Sequence, residues 1–248
     1  MRYIGLDIAT VTGWSFFEDD NLLERGSIQL ISSMDLPQKL HYFHLELKHL
    51  IERLKPEFCF IEDVFLGISG AKTLAYLARL NGVAINTCFE ILQERVRLYE
   101  PAYWKANSFA GLNGQSKKWE IQLAVVNHYN IPITGNFDSI SDKIREFELL
   151  IDSKKYYIKE KQKEISKYNN FLNRKRNPLS DIEKLDVKKN IIDNKKSISH
   201  EKSELKKLQQ TFDKHMEKVK NDIAAQTGLT DNIADSCGIA YCGYKEVR

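Results

Sequence analysis

The most constraining feature of this chain is a carboxylate inside its opening apolar segment. Residues 2–17 (RYIGLDIATVTGWSFF) read as a strand, a tight turn around Thr12-Gly13 and a second strand, and Asp7 lies where the first strand should be most buried. A lone carboxylate in a protein core costs several kcal/mol unless it is paired or binds a cation. Asp7 therefore predicts charged or metal partners elsewhere in the chain.

Length and composition indicate one full hydrophobic core with an appendage, since the chain has 248 residues and is 42% hydrophobic. No run approaches the roughly 18 apolar residues of a membrane span, and the start of the chain lacks a signal-peptide pattern. We therefore expect a cytoplasmic protein with no membrane partner. The four cysteines lie among apolar residues without C-x-x-C spacing, which predicts buried, reduced thiols.

Residues 1–136 alternate strand and helix patterns. An apolar face repeats every three to four residues across Leu36–Leu54, which predicts a helix that Pro56 ends. A meander of strands followed by strands alternating with helices is typical of a mixed sheet with helices on both faces. The predicted strands are Tyr3–Leu6, Gly13–Phe17, Gly26–Ile31, Phe58–Ile61 and Arg95–Tyr99, and the other predicted helices are Ala71–Phe89, Pro101–Phe109 and Ser116–Tyr129.

Residues 137–221 differ in composition from the rest of the chain. They hold 22 Lys and Arg against 15 Asp and Glu, a net charge of +7, and contain no glycine. Apolar residues recur there at helical spacing on both sides of Pro178, which predicts a long antiparallel helical hairpin with Pro178 near its tip. Each helix would run about 40 residues, or roughly 60 Å. We expect a basic, coiled-coil-like insertion at 137–221 in a core formed by 1–136 and 222–248.

Four acidic residues lie at the edges of apolar runs. Asp7 is inside the first strand, Glu62 follows the strand Phe58–Ile61, and Asp231 and Asp235 are one turn apart on a final helix. Converging carboxylates without histidine or cysteine favour Mg²⁺ or Mn²⁺, and two such ions about 3.5–4 Å apart can hydrolyse a phosphodiester. Spacing alone leaves simpler interpretations open, in which these residues serve only as strand-end turns or as helix N-terminal charges.

Four short motifs occur in order along the chain. They are Ile4-Gly5-Leu6-Asp7 with Thr12-Gly13, Ile61-Glu62-Asp63-Val64-Phe65, Asn81-Gly82-Val83-Ala84-Ile85 and Ala234-Asp235-Ser236-Cys237-Gly238-Ile239-Ala240. These motifs resemble those of the RuvC-type Holliday junction resolvases of the RNase H-like nuclease superfamily, and the resemblance covers residues 1–130 and 228–245. It implies an α/β fold: an RNase H-like five-stranded mixed sheet flanked by helices, into which the helical hairpin is inserted.

The resemblance implies a set of metal ligands. Asp7, Glu62 and Asp235 match the acidic residues of the family and would bind two Mg²⁺ or Mn²⁺ ions per active site. The fourth acidic residue of the family corresponds in position to Asn232, which could bind through its amide oxygen. We expect Asp231 instead, because its i, i+4 spacing keeps it on the same helix face as Asp235.

The same resemblance implies residues that contact DNA. Lys118 corresponds to a catalytic lysine near the scissile phosphate, and the neighbouring Lys117 matches almost as well. Lys105 corresponds to a second lysine that contacts phosphate, and Phe65 to an aromatic residue at the junction crossover. A lysine near a phosphate would add charge stabilisation to a metal-centred site.

These features together predict a metal-dependent endonuclease of DNA recombination and repair. It would cut Holliday junctions or other branched DNA by paired symmetric nicks, as a homodimer with no small-molecule cofactor, in a bacterial or virus-infected cell. Two alternatives remain: an RNase H-type nuclease of RNA–DNA hybrids, and a non-catalytic DNA-binding scaffold with the hairpin as its functional part. An actin-like or sugar-kinase-like protein is disfavoured, because no second glycine-rich phosphate loop is found.

Overall fold

The computed structural model describes residues 1–64, 70–133, 137–173 and 180–248, without the side chains of 137–142. Phe65 and Pro178 lie outside these described residues. The strands are β1 (Arg2–Asp7), β2 (Val11–Glu18), β3 (Asn21–Gln29), β4 (Phe58–Glu62) and β5 (Val96–Tyr99). The helices are α1 (Leu36–Leu54), α2 (Ala71–Leu92), α3 (Pro101–Asn107), α4 (Lys118–His128), α5 (Phe137–Leu172), α6 (Asp181–Thr227) and α7 (Asp231–Val247).

The five strands form one mixed sheet in the order β3-β2-β1-β4-β5, as predicted. β1 and β3 are antiparallel to β2, whereas β1, β4 and β5 run parallel. The predicted third strand, Gly26–Ile31, was wrong at its start. A tight turn places Asn21 opposite Glu18, so β3 pairs with the whole of β2 and includes the polar residues before Gly26.

The helix α1 has the predicted bounds because both of its ends carry local signals. Asp35 accepts a hydrogen bond from the backbone N–H of Gln38 at 2.9 Å, and the Gln38 side chain accepts one from the Asp35 N–H at 3.0 Å. This reciprocal arrangement is a capping box, and Pro37 lies in the first turn. At the other end, Lys55 adopts a left-handed conformation that terminates the helix.

The pleat of β1 divides its side chains between two layers. Ile4 and Leu6 belong to the core cluster on one face of the sheet, together with buried residues of α1 and α2. Tyr3 lies on the opposite face, where its ring stacks on Tyr244 of α7 with centroids 4.9 Å apart. Because side chains alternate along a strand, Asp7 shares the α7 face with Tyr3.

Two glycines allow α7 to lie directly on the sheet. A Cβ atom on Gly5 would be 2.1 Å from the carbonyl oxygen of Ser236, and one on Gly13 would be 2.1 Å from that of Asn232. No side chain fits in either space. The backbone of α7 therefore packs against β1 and β2 at a distance that only glycine permits.

The chain divides into two compact units, one of Met1–Ile133 with Lys220–Arg248 and one of Thr134–Val219. In the second unit, α5 and α6 are antiparallel, with 36 and 47 residues rather than about 40 each. Contacting residues run in opposite directions along the two helices. They are Phe147 with Phe212, Lys154 with Glu201, Tyr157 with Ser197 and Glu164 with Asn194.

One further expectation from composition is met. The four cysteines are buried and free, as predicted. Within the described ranges, no helix is long and apolar enough to cross a bilayer.

The close packing of α7 makes Gly5 a sensitive position. We expect Gly5→Ala to lower the free energy of unfolding by about 2–4 kcal/mol, because the added methyl group forces α7 away from β1. Gly82→Ala on α2 is the matched control, since nothing lies within 4 Å of its would-be Cβ. That change should stabilise the protein by about 0.5–1 kcal/mol through helix propensity. Urea denaturation measures both, and equal stability of the two variants would contradict the packing.

Candidate active site

Asp7 and Glu62 come together at one edge of the sheet. Leu6 of β1 pairs with Ile61 of β4 in a parallel register, so the next residue of each strand lies at the same carboxyl edge. Both side chains project toward α7, because Gly5 and Phe60, two residues earlier on each strand, contact α7 at Ser236 and Gly243. The strand register thus places two carboxylates side by side.

Asp235 adds a third carboxylate to Asp7 and Glu62, from the helix that packs on this face of the sheet. It lies on α7, one residue before Ser236, whose carbonyl oxygen faces Gly5. Asp235 is 7% exposed and Asp7 is 6% exposed. The glycine contacts therefore bring the helix carboxylate to the two strand carboxylates. We call Asp7, Glu62 and Asp235 the acidic cluster.

Burial and mutual repulsion change the protonation of this cluster. Loss of solvent raises the pKa of Asp7 well above its usual value, and the charges of Glu62 and Asp235 and a hydrogen bond to Glu62 raise it further. Burial raises the pKa of Asp235 to about 7, with a further contribution from the Glu62 charge. The positive charges of Lys118 and Lys105 oppose this increase at Asp235. Without a cation, the cluster therefore retains protons near neutral pH.

Two residues that the sequence did not single out hold Glu62 in place. The indole nitrogen of Trp104 donates a hydrogen bond to Glu62 Oε1 at 3.0 Å, and Asn81 Nδ2 donates to the Glu62 backbone oxygen at 2.8 Å. Trp104 is fully buried and packs against Gly238 of α7. The place of Asn81 in the third sequence motif could have identified it as a site residue. For Trp104, the only such feature in the sequence is its position next to Lys105.

The two candidates for the fourth ligand are both engaged by other groups. Oδ2 of Asp231 lies 3.3 Å from the ammonium nitrogen of Lys220 and 3.7 Å from that of Lys118. The amide nitrogen of Asn232 donates a hydrogen bond to the backbone oxygen of Val11. The side chain of Asp231 is 25% exposed, whereas Asp235 is 7% exposed. Asp231 therefore lies at the rim of the acidic cluster.

The predicted DNA-contacting lysines occupy different positions. Lys105 is partly buried, with its ammonium nitrogen 5.5 Å from the centroid of the Trp104 ring. Lys118 is half exposed at the start of α4. Both act electrostatically on Asp235. Lys117 is exposed just before α4, and its backbone N–H bonds to Glu120, which is why the helix begins at Lys118 rather than at the predicted Ser116.

The acidic cluster fits a hard divalent cation. Among the described residues, no group of three His, Cys, Asp or Glu side chains has the geometry to hold a metal ion, so the fit rests on the chemistry of the donor set. Asp235 Oδ1 is nevertheless buried and has no hydrogen-bond partner in the structure. A buried acceptor of this kind requires a donor or a cation, and oxygen-only donors favour Mg²⁺ or Mn²⁺. A bound ion would also reduce the electrostatic repulsion among the carboxylates.

Comparison with known proteins identifies the family. The sequence model described as "Crossover junction endodeoxyribonuclease RuvC" matches residues 5–145, more than half of the chain. The chain belongs to the RuvC family. RuvC-family proteins are metal-dependent crossover junction endodeoxyribonucleases, which agrees with the acidic cluster described above. The match ends before α7, so the positions of Asp231 and Asp235 rest on the geometry of this chain.

The relatives described below are 28–30% identical to this RuvC-family chain over the aligned residues. The RuvC of Finegoldia magna is 28% identical over 130 residues, which are 50% of this chain and 77% of the relative. That of Chloroflexus aggregans is 30% identical over 125 residues, or 48% and 73% of the two chains. A structure titled "T. thermophilus RuvC in complex with Holliday junction substrate" has a TM-score of 0.47 and 18% identity, covering 55% of this chain and 84% of that one.

Repulsion in the acidic cluster predicts a pH-dependent stability of the metal-free protein. Because the folded-state pKa of Asp235 is about 7, above the unfolded value of about 4, the folded state binds more protons between these values. Stability in EDTA should therefore fall as the pH rises through this window. Asp235→Asn should raise the melting temperature at pH 8 in EDTA by roughly 3–8 °C.

Added Mg²⁺ provides the complementary measurement by differential scanning fluorimetry. It should raise the melting temperature of the wild-type protein at pH 8 and have little effect on Asp235→Asn, because the variant lacks one of the carboxylates that would bind the cation. If Asp235→Asn is less stable than the wild-type protein at pH 8 in EDTA, the prediction that the carboxylates of the acidic cluster repel one another is wrong.

Proposed function

We propose that this protein resolves Holliday junctions, or closely related branched DNA, by hydrolysing one phosphodiester in each of two symmetric strands. The observation that supports this most is the acidic cluster, in which three carboxylates from two strands and a helix converge at the carboxyl edge of the sheet. Lysines border the cluster on one side, which suits a polyanionic substrate. Membership of the RuvC family supports the choice of a DNA junction over an RNA–DNA hybrid.

Asp7, Glu62 and Asp235 would hold the catalytic metal, which we take to be a pair of Mg²⁺ or Mn²⁺ ions. When bound, such ions supply an activated water and stabilise the leaving oxygen. Asp231 is our choice for the fourth ligand, with Asn232 as the alternative. Each carboxylate lies on a regular strand or helix, so the donor atoms are positioned before a metal or DNA arrives.

The other residues would orient the ligands and the substrate. Trp104 holds Oε1 of Glu62 through a hydrogen bond from its indole nitrogen. Lys118 at the rim would contact the scissile phosphate and stabilise the charge that develops there. Lys105 would contact a neighbouring phosphate, and Lys117 a more distant one. Phe65 remains our candidate for the residue at the junction crossover.

Two symmetric nicks require two active sites, so we propose a homodimer that acts on a four-way junction. We further propose that it works in the cytoplasm of a bacterial or virus-infected cell. We propose residues 137–221 as a separate domain that contacts DNA. Residues 155–200 form the distal half of this hairpin and carry 13 Lys and Arg against 6 Asp and Glu. Their net charge of +7 equals that of the whole segment 137–221.

Loss of one ligand should abolish cleavage without preventing folding. We expect Asp7→Asn to slow Mg²⁺-dependent cutting of a synthetic four-way junction by roughly a hundredfold or more, because it weakens metal binding at the reacting phosphate. Asp20→Asn is the control. It removes the same charge from the β2–β3 turn at the opposite edge of the sheet, and it should cut at the wild-type rate.

The same assay separates the proposed activity from its alternatives. Four-way junction, three-way junction, RNA–DNA hybrid and linear duplex are incubated side by side with the wild-type protein. Faster cleavage of the hybrid than of the junction would favour an RNase H-type enzyme. Junction binding without cleavage of any substrate would favour a non-catalytic scaffold.

Shortening the hairpin tests its contribution to DNA binding. The side chains of Lys154 and Glu201 are in contact at 2.8 Å, so residues 155–200 can be replaced by a short Gly-Ser linker. We expect about tenfold weaker junction binding at 100 mM salt and a smaller salt dependence, because phosphate contacts are lost. Unchanged affinity with a halved mass in light scattering would instead assign the hairpin to dimerisation.

A further inference from the structure

Two ammonium groups converge on a single carboxylate oxygen beside the acidic cluster. The nitrogens of Lys220 and Lys118 both approach Oδ2 of Asp231, at 3.3 and 3.7 Å. The side chain of Lys220 is only 16% exposed, so its charge has little water around it and needs an anion close by. Because both lysines reach one oxygen, they are positioned to grip a single anionic group.

This paired-lysine site opens onto space rather than onto a closed core. A cavity of about 310 Å³ is lined by Lys220, Asp231 and Asn232, with Val11 and Gln122 among its other borders. The lining offers ammonium, amide and hydroxyl groups, which are the groups that proteins use to contact DNA phosphates. A phosphate could therefore approach Lys220 from the cavity without rearrangement of the core.

The site also borders the reacting centre. Lys118 and Asp231 both act electrostatically on Asp235, which belongs to the acidic cluster. Lys220 comes from the last part of α6, which lies in the first unit although most of α6 lies in the second. The long helix of the insertion thus delivers one lysine to the edge of the acidic cluster.

We propose that Lys220 and Lys118 form a phosphate clamp for the bound DNA strand. In the free protein, the Asp231 carboxylate occupies the clamp in place of a phosphate. When DNA binds, the backbone phosphate at the cleavage position takes over the two ammonium groups and releases Asp231. The released carboxylate then becomes available to the acidic cluster, so that the full set of ligands forms only with DNA in place. This inference rests on the proposed junction-cleaving function and adds Lys220 to its substrate contacts.

Salt-dependent DNA binding of the full-length protein tests the clamp without any cleavage. A fluorescently labelled four-way junction is titrated in EDTA at 50–300 mM KCl, and anisotropy gives the affinity at each salt concentration. Lys220→Gln should weaken binding by about fivefold at 100 mM KCl and reduce the slope of log K against log salt by about 0.9, the value for one lost phosphate contact. Lys220→Arg should restore both.

Two further variants distinguish a phosphate contact from a structural role. Asp231→Asn should bind the junction more tightly than wild type in EDTA, by roughly three- to tenfold, because the competing carboxylate is gone. Lys55→Gln is the control, since it removes the same charge at the amino-terminal end of β4, away from Glu62. It should match wild type.

The outcomes separate this inference from the proposed function. If wild type cuts the junction with Mg²⁺ but Lys220→Gln keeps the wild-type salt slope, or Asp231→Asn binds no more tightly, the clamp is wrong and the nuclease stands. If wild type neither binds nor cuts the junction, the proposed function fails and the clamp fails with it. Should Lys220→Gln not fold, as judged by circular dichroism, Asp231→Asn still decides the question.

Discussion

The approach of α7 to the sheet is the contact on which the rest of this structure depends. Gly5 and Gly13 leave no room for side chains, so the helix backbone lies directly on β1 and β2. This contact buries Asp235 against Asp7 and provides the low-polarity surroundings in which carboxylates strongly attract a cation. Side chains at the two glycine positions would separate the helix and strand carboxylates, and the site would lose both its burial and its charge density.

Stability and function oppose each other at this contact. Burying like charges together costs free energy in the absence of metal. The raised pKa values of Asp7 and Asp235 indicate that these two carboxylates bear this cost. The surrounding packing offsets it, including the fully buried Trp104 between Glu62 and α7. Buried carboxylates that destabilise an otherwise well-packed core are expected at a functional site.

Sequence reasoning reached the parts of the fold whose signals are local. The apolar period of α1 and the position of Pro56 predicted the bounds of that helix correctly, and carboxylates at strand ends pointed to Asp7 and Glu62. The start of β3 was missed, because cross-strand pairing rather than apolar alternation sets it. Trp104 and Lys220 were also missed as site residues, since their relevance depends on contacts with residues distant in the sequence.

Three residues separate the end of α6 at Thr227 from the start of α7 at Asp231. Each residue added to or removed from a helix turns everything beyond it by about 100°. A residue inserted between Lys220 and Thr227 would therefore rotate Lys220 away from Asp231, whereas a change in length farther from α7 would leave the spacing of these two residues unaltered. Related proteins that carry such an insertion should accordingly vary in the length of the hairpin and keep a fixed spacing between Lys220 and α7.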